Sequence, residues 1–146
     1  MLDNRETHDI FENQGVKEIL EKVADERTFW NKIISSIDEA LFIVDSEKKI
    51  VYFNKTAQEL TGFLEEEVIG QPCLKAIQCI NCFNECALFN EGQIICRNLT
   101  FKKKNGNQMF VVKNARVFTD TNGDVIGGVE TFRDVTEEVN ASKKTY

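Results

Sequence analysis

The stretch CLKAIQCINCFNEC, residues 73 to 86, holds Cys73, Cys79, Cys82 and Cys86, four of the chain's five cysteines. Their spacing is Cys-x5-Cys-x2-Cys-x3-Cys. On a helix, Cys79, Cys82 and Cys86 fall at i, i+3 and i+7 and share one face, and Cys73 just ahead can supply a fourth sulfur. Four thiolates satisfy tetrahedral zinc or an iron-sulfur cluster, both of which favour soft ligands. The same thiols can instead form a redox switch. They can also be packing residues, because free cysteine behaves as a small buried hydrophobe. Ile80, Phe83 and Ala87 occupy a different stripe of the same segment, so an apolar face exists without the cysteines. Cys96, beyond the cluster, is a substitute ligand or a bystander.

Composition bears on these choices. A chain of 146 residues with 42% hydrophobic and 29% charged residues is sized for one globular domain with an appended segment. The polar, acidic amino terminus lacks the features of a secretory signal, and no apolar run approaches membrane-spanning length. A cytoplasmic location is therefore expected. In a reducing compartment clustered thiols bind metal or do redox chemistry more often than they form disulfides, and an odd count of five fits a disulfide framework poorly. The net charge of −6 argues against a nucleic-acid surface. The single histidine, His8, sits in the polar tail, which disfavours Ser-His or Cys-His catalysis. No phosphate-binding glycine loop is present, and GDVIGG at 123 to 128 lies within a strand pattern.

The elements that must position the cysteines follow from periodicity. After a polar tail over 1–14, Val16, Val23, Trp30 and Ile37 recur every seven residues, with Ile19 and Ile33 at the d spacing, predicting an amphipathic helix over 15–38. This stripe either packs on its own domain or forms a short dimeric coiled coil. ALFIVD and KIVYFN are strand patterns joined by a polar turn. NKTAQELTGF reads as a short helix with Asn54 or Thr56 as cap and Gly62 near its end, and LEEEVIG as a further turn closed by Gly70. The cysteine segment, from 73 to about 90, reads as helical. Three strand patterns, IICRNLTF, QMFVVKNARVF and DVIGGVETFRDV, are then separated by Asn-Gly turns. The predicted class is α+β with one antiparallel sheet.

With that order in place, residues 30 to 138 resemble the PAS sensor domains. The resemblance rests on IISSIDEALFIVDSEKKIVYFNKTAQELTGFLEEEVIG, the NG hairpin and the closing GDVIGGVETFRDVTEE, in which Asp134, Val135 and Thr136 fit the family's Asp-x-Thr ending. It implies a five-stranded antiparallel sheet with short helices on one face around a pocket. It also implies a domain over 39–138, preceded by the amphipathic helix and followed by the start of an outgoing linker over 139–146. Such domains are rarely enzymes. They feed histidine kinases, transcription activators or cyclic-dinucleotide enzymes, and they commonly dimerise through the amino-terminal helix and outer sheet face, so a homodimer is expected.

The resemblance also bears on cofactors. Haem in this fold takes a histidine near the pocket, and this chain has none there. GQPC places Cys73 as in the flavin-binding light sensors, but LKAIQ replaces their flavin-anchoring stretch and GGVETF their late glutamine, so haem and flavin are both disfavoured. A cysteine-rich subset of the family, found ahead of activators and kinases, is similar in GQPC and CALFNEG. The expected function is sensing of redox state or of metal and iron-sulfur status through Cys73, Cys79, Cys82 and Cys86. An iron-sulfur cluster is the first cofactor expected and zinc the alternative. The competing reading is a dimerisation or interaction module with structural cysteines or a small-molecule ligand in the pocket. Asn54 is expected as a helix cap rather than a pocket contact. Alternation puts Lys113 and Asn114 on opposite faces of their strand, and a solvent-facing charge is expected for Lys113 and Arg116.

Overall fold

This computed structural model describes residues 13–23, 25–73, 77 and 92–144. Two compact units are present, Met1–Ile37 and Asp38–Tyr146. In the first, the amphipathic stretch forms two helices where the periodicity predicts one: α1, Gln14–Lys22, and α2, Glu26–Ser35. The break has a local cause. Val23 is extended (φ −80°, ψ 157°), and the Asp25 carboxylate accepts from Thr28 N at 2.7 Å, capping a new helix. An aspartate that satisfies an orphan amide of its own helix start ends the preceding periodicity. The seven-residue stripe is therefore not carried by one continuous helix, since Val23 and Ile37 both lie outside the helical spans.

The second unit is built on five strands: β1 (Ala40–Asp45), β2 (Ile50–Phe53), β3 (Gln93–Lys102), β4 (Gln108–Thr119) and β5 (Val125–Asp134). They form one antiparallel sheet in the order β2-β1-β5-β4-β3. The α+β, five-stranded expectation is met. β5, last in sequence, lies at the centre of the sheet, so its side chains meet both halves of the domain. Short helices α3 (Lys55–Thr61) and α4 (Glu65–Val68) follow β2, and α5 (Thr136–Lys144) leaves from the end of β5.

Tight turns hold the hairpins in register. Asp120 Oδ1 accepts from Asn122 N and Asp124 N at 2.8 and 3.0 Å, an Asx turn that lets Gly123 take φ 86° before β5 begins. In the β1–β2 turn, Asp45 Oδ1 accepts from Glu47 N and Lys49 N.

The core lies on one sheet face. Ala40, Phe42 and Val44 of β1, Leu99 and Phe101 of β3, Met109 and Val111 of β4, and Phe132 of β5 are buried with Ala57 of α3 and Val68 of α4. These positions alternate along each strand, as a sheet covered on one face requires. Phe132 touches the rings of both Phe42 and Phe101, at centroid distances of 6.2 and 5.0 Å with edge geometry. It thereby ties β1 to β3 across the middle of the sheet.

Asn54 is the cap expected of it and more. Its Oδ1 accepts from Ala57 N and Leu41 N, both at 2.9 Å, and its Nδ2 donates to Glu39 O at 3.0 Å. One buried amide thus starts α3 and fastens it to Leu41 of β1 and to Glu39 just ahead of that strand. Among the described residues, no helix is long and apolar enough to cross a membrane.

Candidate functional site

Of the four predicted ligands, Cys73 is described, whereas Cys79, Cys82 and Cys86 lie outside the described residues, as does the Cys96 side chain. Cys73 is held by backbone bonds to the first hairpin. Its N–H donates to Lys48 O at 2.9 Å, two residues after Ile50 N donates to Gln71 O at 2.9 Å and Gly70 N to Ile50 O at 2.8 Å. Lys48 accepts this bond from a left-handed backbone (φ 66°). The Cys73 carbonyl accepts from Ile77 N at 2.9 Å. Gly70, with φ 81°, makes the reversal out of α4.

These bonds bury the thiol and direct it at the sheet. Cys73 Sγ lies 4.0 Å from Glu130 Oε2, on the central strand β5. Glu130 in turn forms an ion pair, through Oε1, with Lys113 Nζ of β4; their side chains are 1% and 2% exposed. The register explains the pairing: Lys113 stands opposite Phe132 and Glu130 opposite Ala115, which makes the two charges diagonal neighbours on one face.

The sequence expectation for Lys113 is corrected here. It faces the core, and its neighbours set the phase: Met109, Val111 and Ala115 are all buried, and alternation carries residue 113 inward with them. Arg116, one step out of phase, is exposed as expected. Glu130 escaped the sequence reading as a site residue. The available signal was the phase of Phe132, which commits residue 130 to the same face. A lone glutamate between Val129 and Thr131 does not otherwise announce burial.

Removing two opposite charges from water is expensive, and their attraction repays it only when geometry is good, so a buried pair is a poor device for stability alone. A thiol, a carboxylate and an ammonium gathered behind the helical side of a sheet make a polar centre inside an otherwise apolar core. Such a cluster can bind a cation or polar ligand, or respond to oxidation at sulfur. Among the described residues no group of three or more metal-ligand side chains converges.

Comparison with known proteins agrees with this architecture. The PAS domain family model matches residues 38–137, and this chain belongs to that family. The cyclic di-GMP phosphodiesterase PdeR of Escherichia coli is 25% identical over 122 residues, covering 80% of this chain and 18% of PdeR. The probable diguanylate cyclase DgcE of the same organism is 25% identical, covering 84% of this chain and 12% of DgcE. The chain thus spans less than a fifth of the length of either relative. A PAS domain from Colwellia psychrerythraea superposes with a TM-score of 0.64 at 20% identity, over 77% of this chain and 99% of that one. An RNA-binding light-oxygen-voltage receptor superposes with a TM-score of 0.65 at 17% identity, over 78% of this chain and 34% of that one. These structural likenesses establish the fold.

Proposed function

We propose that this PAS domain is a non-enzymatic sensor that reads redox state or metal and iron-sulfur status through Cys73, Cys79, Cys82 and Cys86. It relays that state to an effector domain or partner of the histidine kinase, transcription activator or cyclic-dinucleotide enzyme type. The observation that carries this reading is the burial of Cys73 against Glu130 on the central strand. A thiol there is not an isolated packing group. Any change in its ligation or oxidation alters the surroundings of an ion pair that joins β4 to β5.

A path outward exists along β5. The strand ends at Asp134, whose Oδ1 accepts from Thr136 N at 2.9 Å, while Thr136 Oγ1 accepts from Phe110 N at 3.0 Å. The first residue of α5 is therefore bonded to both β4 and the end of β5, the two strands that hold Lys113 and Glu130. A homodimer formed through the amino-terminal helices, in the cytoplasm, completes the proposal. The relatives PdeR and DgcE, named for cyclic di-GMP chemistry, make a cyclic-dinucleotide enzyme one natural effector.

The test is anaerobic purification with an absorption spectrum and elemental analysis. Stoichiometric zinc, or iron with sulfide, supports the reading, and Cys82→Ser with Cys86→Ser is then expected to release the metal. A colourless, metal-free protein whose signalling is unchanged by those substitutions overturns it in favour of a dimerisation module with packing cysteines or a small-molecule pocket.

A further inference from the structure

We infer that α3 and α4 form a flap, hinged on β1 and β2 and latched to the β3–β4 hairpin by Lys104, which opens when salt screens the latch and admits small molecules to the covered face of the sheet.

The hinge side is made of backbone and amide bonds. At the start of α3, Asn54 N donates to Leu41 O at 2.9 Å, and the Asn54 side chain accepts from Leu41 N and donates to Glu39 O. At the far end of α4, Gly70 N donates to Ile50 O at 2.8 Å, and Gln71 O accepts from Ile50 N at 2.9 Å. Both ends of the helical pair are therefore fastened to the same half of the sheet. None of these groups carries a net charge, and Asn54 is buried, so salt has little hold on this side.

The other half of the sheet is joined at the turn between β3 and β4. Lys104 N donates to the carbonyl of Thr61, the last residue of α3, at 2.9 Å. Lys104 Nζ donates to Glu67 Oε1 and Oε2 of α4 at 2.9 and 2.8 Å. One residue of the hairpin thus holds both helices. The bond from Lys104 keeps the Glu67 carboxyl below its ordinary value of 4.5. The two side chains are 50% and 32% exposed, so water and ions reach the pair and weaken it. The two sides of the flap differ in kind, uncharged at the hinge and ionic at the latch.

Beneath the helices lies apolar surface. Phe101 and Met109 stand opposite each other at the hairpin end of β3 and β4, 1% and 0% exposed. Leu60 of α3 and Phe63, between the helices, are half-buried against the same core. These contacts keep the open form a minor population, and a weak exposed latch adjusts how minor it is. Elements that open to admit ligands are drawn from such weakly held regions.

Met109 supplies the probe. Hydrogen peroxide transfers one oxygen atom to the thioether sulfur and leaves as water, and mass spectrometry of the peptide containing Met109 counts the sulfoxide. Raising salt from about 0.05 to about 1 M is expected to speed oxidation of Met109 in the full chain about two- to fivefold. Hydrogen exchange at the Leu41 and Ala57 amides, both bonded to Asn54 Oδ1, is expected to stay unchanged. Lys104→Gln is expected to oxidise at the fast rate already at low salt and to lose the salt dependence. The exchanged pair Lys104→Glu with Glu67→Lys is expected to restore slow oxidation at low salt. Oxidation of Met109 that is indifferent to salt and to residue 104 overturns the latch. Acceleration matched at the Leu41 and Ala57 amides overturns the flap, because the whole domain then loosens together. The salt series needs no substitution and decides the question even where a variant fails to fold.

Discussion

Lys113 on β4 and Glu130 on β5 form an ion pair that water does not reach, one strand apart and diagonal across the middle of the sheet. Each is surrounded by apolar neighbours of its own strand, with Val111 and Ala115 flanking Lys113 and Phe132 beside Glu130. The pair is therefore bound to a fixed position in the core and cannot be exchanged for solvent without opening the sheet. Its energetic consequences can be separated from its chemical ones.

Breaking the pair from one side is expected to be worse than removing it. Lys113→Met alone leaves a buried carboxylate without its cation and is predicted to destabilise the domain by about 3–5 kcal/mol. Lys113→Met combined with Glu130→Leu should recover most of that loss. Urea denaturation of both single variants and the double variant measures the coupling; additive losses would show that the two charges do not interact.

Gly127 is set by a neighbouring backbone. A Cβ there would lie 2.4 Å from Val44 O on β1, a backbone atom that cannot swing aside. Gly127→Ala is predicted to cost about 1–3 kcal/mol through strand displacement. The same change at Gly123, where the space is open but φ is 86°, acts through backbone strain instead. Thermal melts of the two variants, with amide exchange along β1, distinguish them: only Gly127→Ala should loosen the β1–β5 pairing.

The bond from Phe110 N to Thr136 Oγ1 is predicted to hold the start of α5 to the sheet. Thr136→Val keeps the shape and removes the acceptor, at a cost of about 1 kcal/mol. Hydrogen exchange should accelerate at Phe110 and at the first residues of α5 while the amides of β1 stay protected. Unchanged protection at Phe110 would assign the threonine no role in that junction.

Asp25 gives α2 a pH dependence. Bonds from the Thr28 amide and hydroxyl hold its carboxyl below the ordinary value of 3.8. A depressed carboxyl pKa means that the cap is fully effective above 3.8 and is lost as the pH falls through the lower folded value. Amide shifts of residues 26–35, titrated downward from neutral pH, should report fraying of α2 in that window. Asp25→Asn retains a capping oxygen and should abolish the response; a response that persists would place its origin elsewhere.

Much of the fold was legible because its signals are local. The strand alternation, the Asn-Gly turns and the Asn54 cap each depend on a few neighbouring residues, and all appear where they were expected. The helix over 15–38 was misread for the opposite reason. A seven-residue apolar stripe is a long-range average, and it gave no weight to the single cap at Asp25 that divides it. The site was half legible. Cys73 stood out by composition, but its partner on β5 did not, because a glutamate is judged exposed until the strand that contains it is placed against a covered face.

The amino-acid sequence by itself determined the succession of the five strands, the family and the gathering of thiols between residues 73 and 86, since these follow from spacing along the chain. Only the tertiary structure decided that Lys113 and Glu130 are buried and that Cys73 meets Glu130. Those facts depend on strand register and on the reversal at Gly70. Register sets which of two opposite faces every side chain takes, and contacts across 57 positions exist only once the last strand has entered the centre of the sheet.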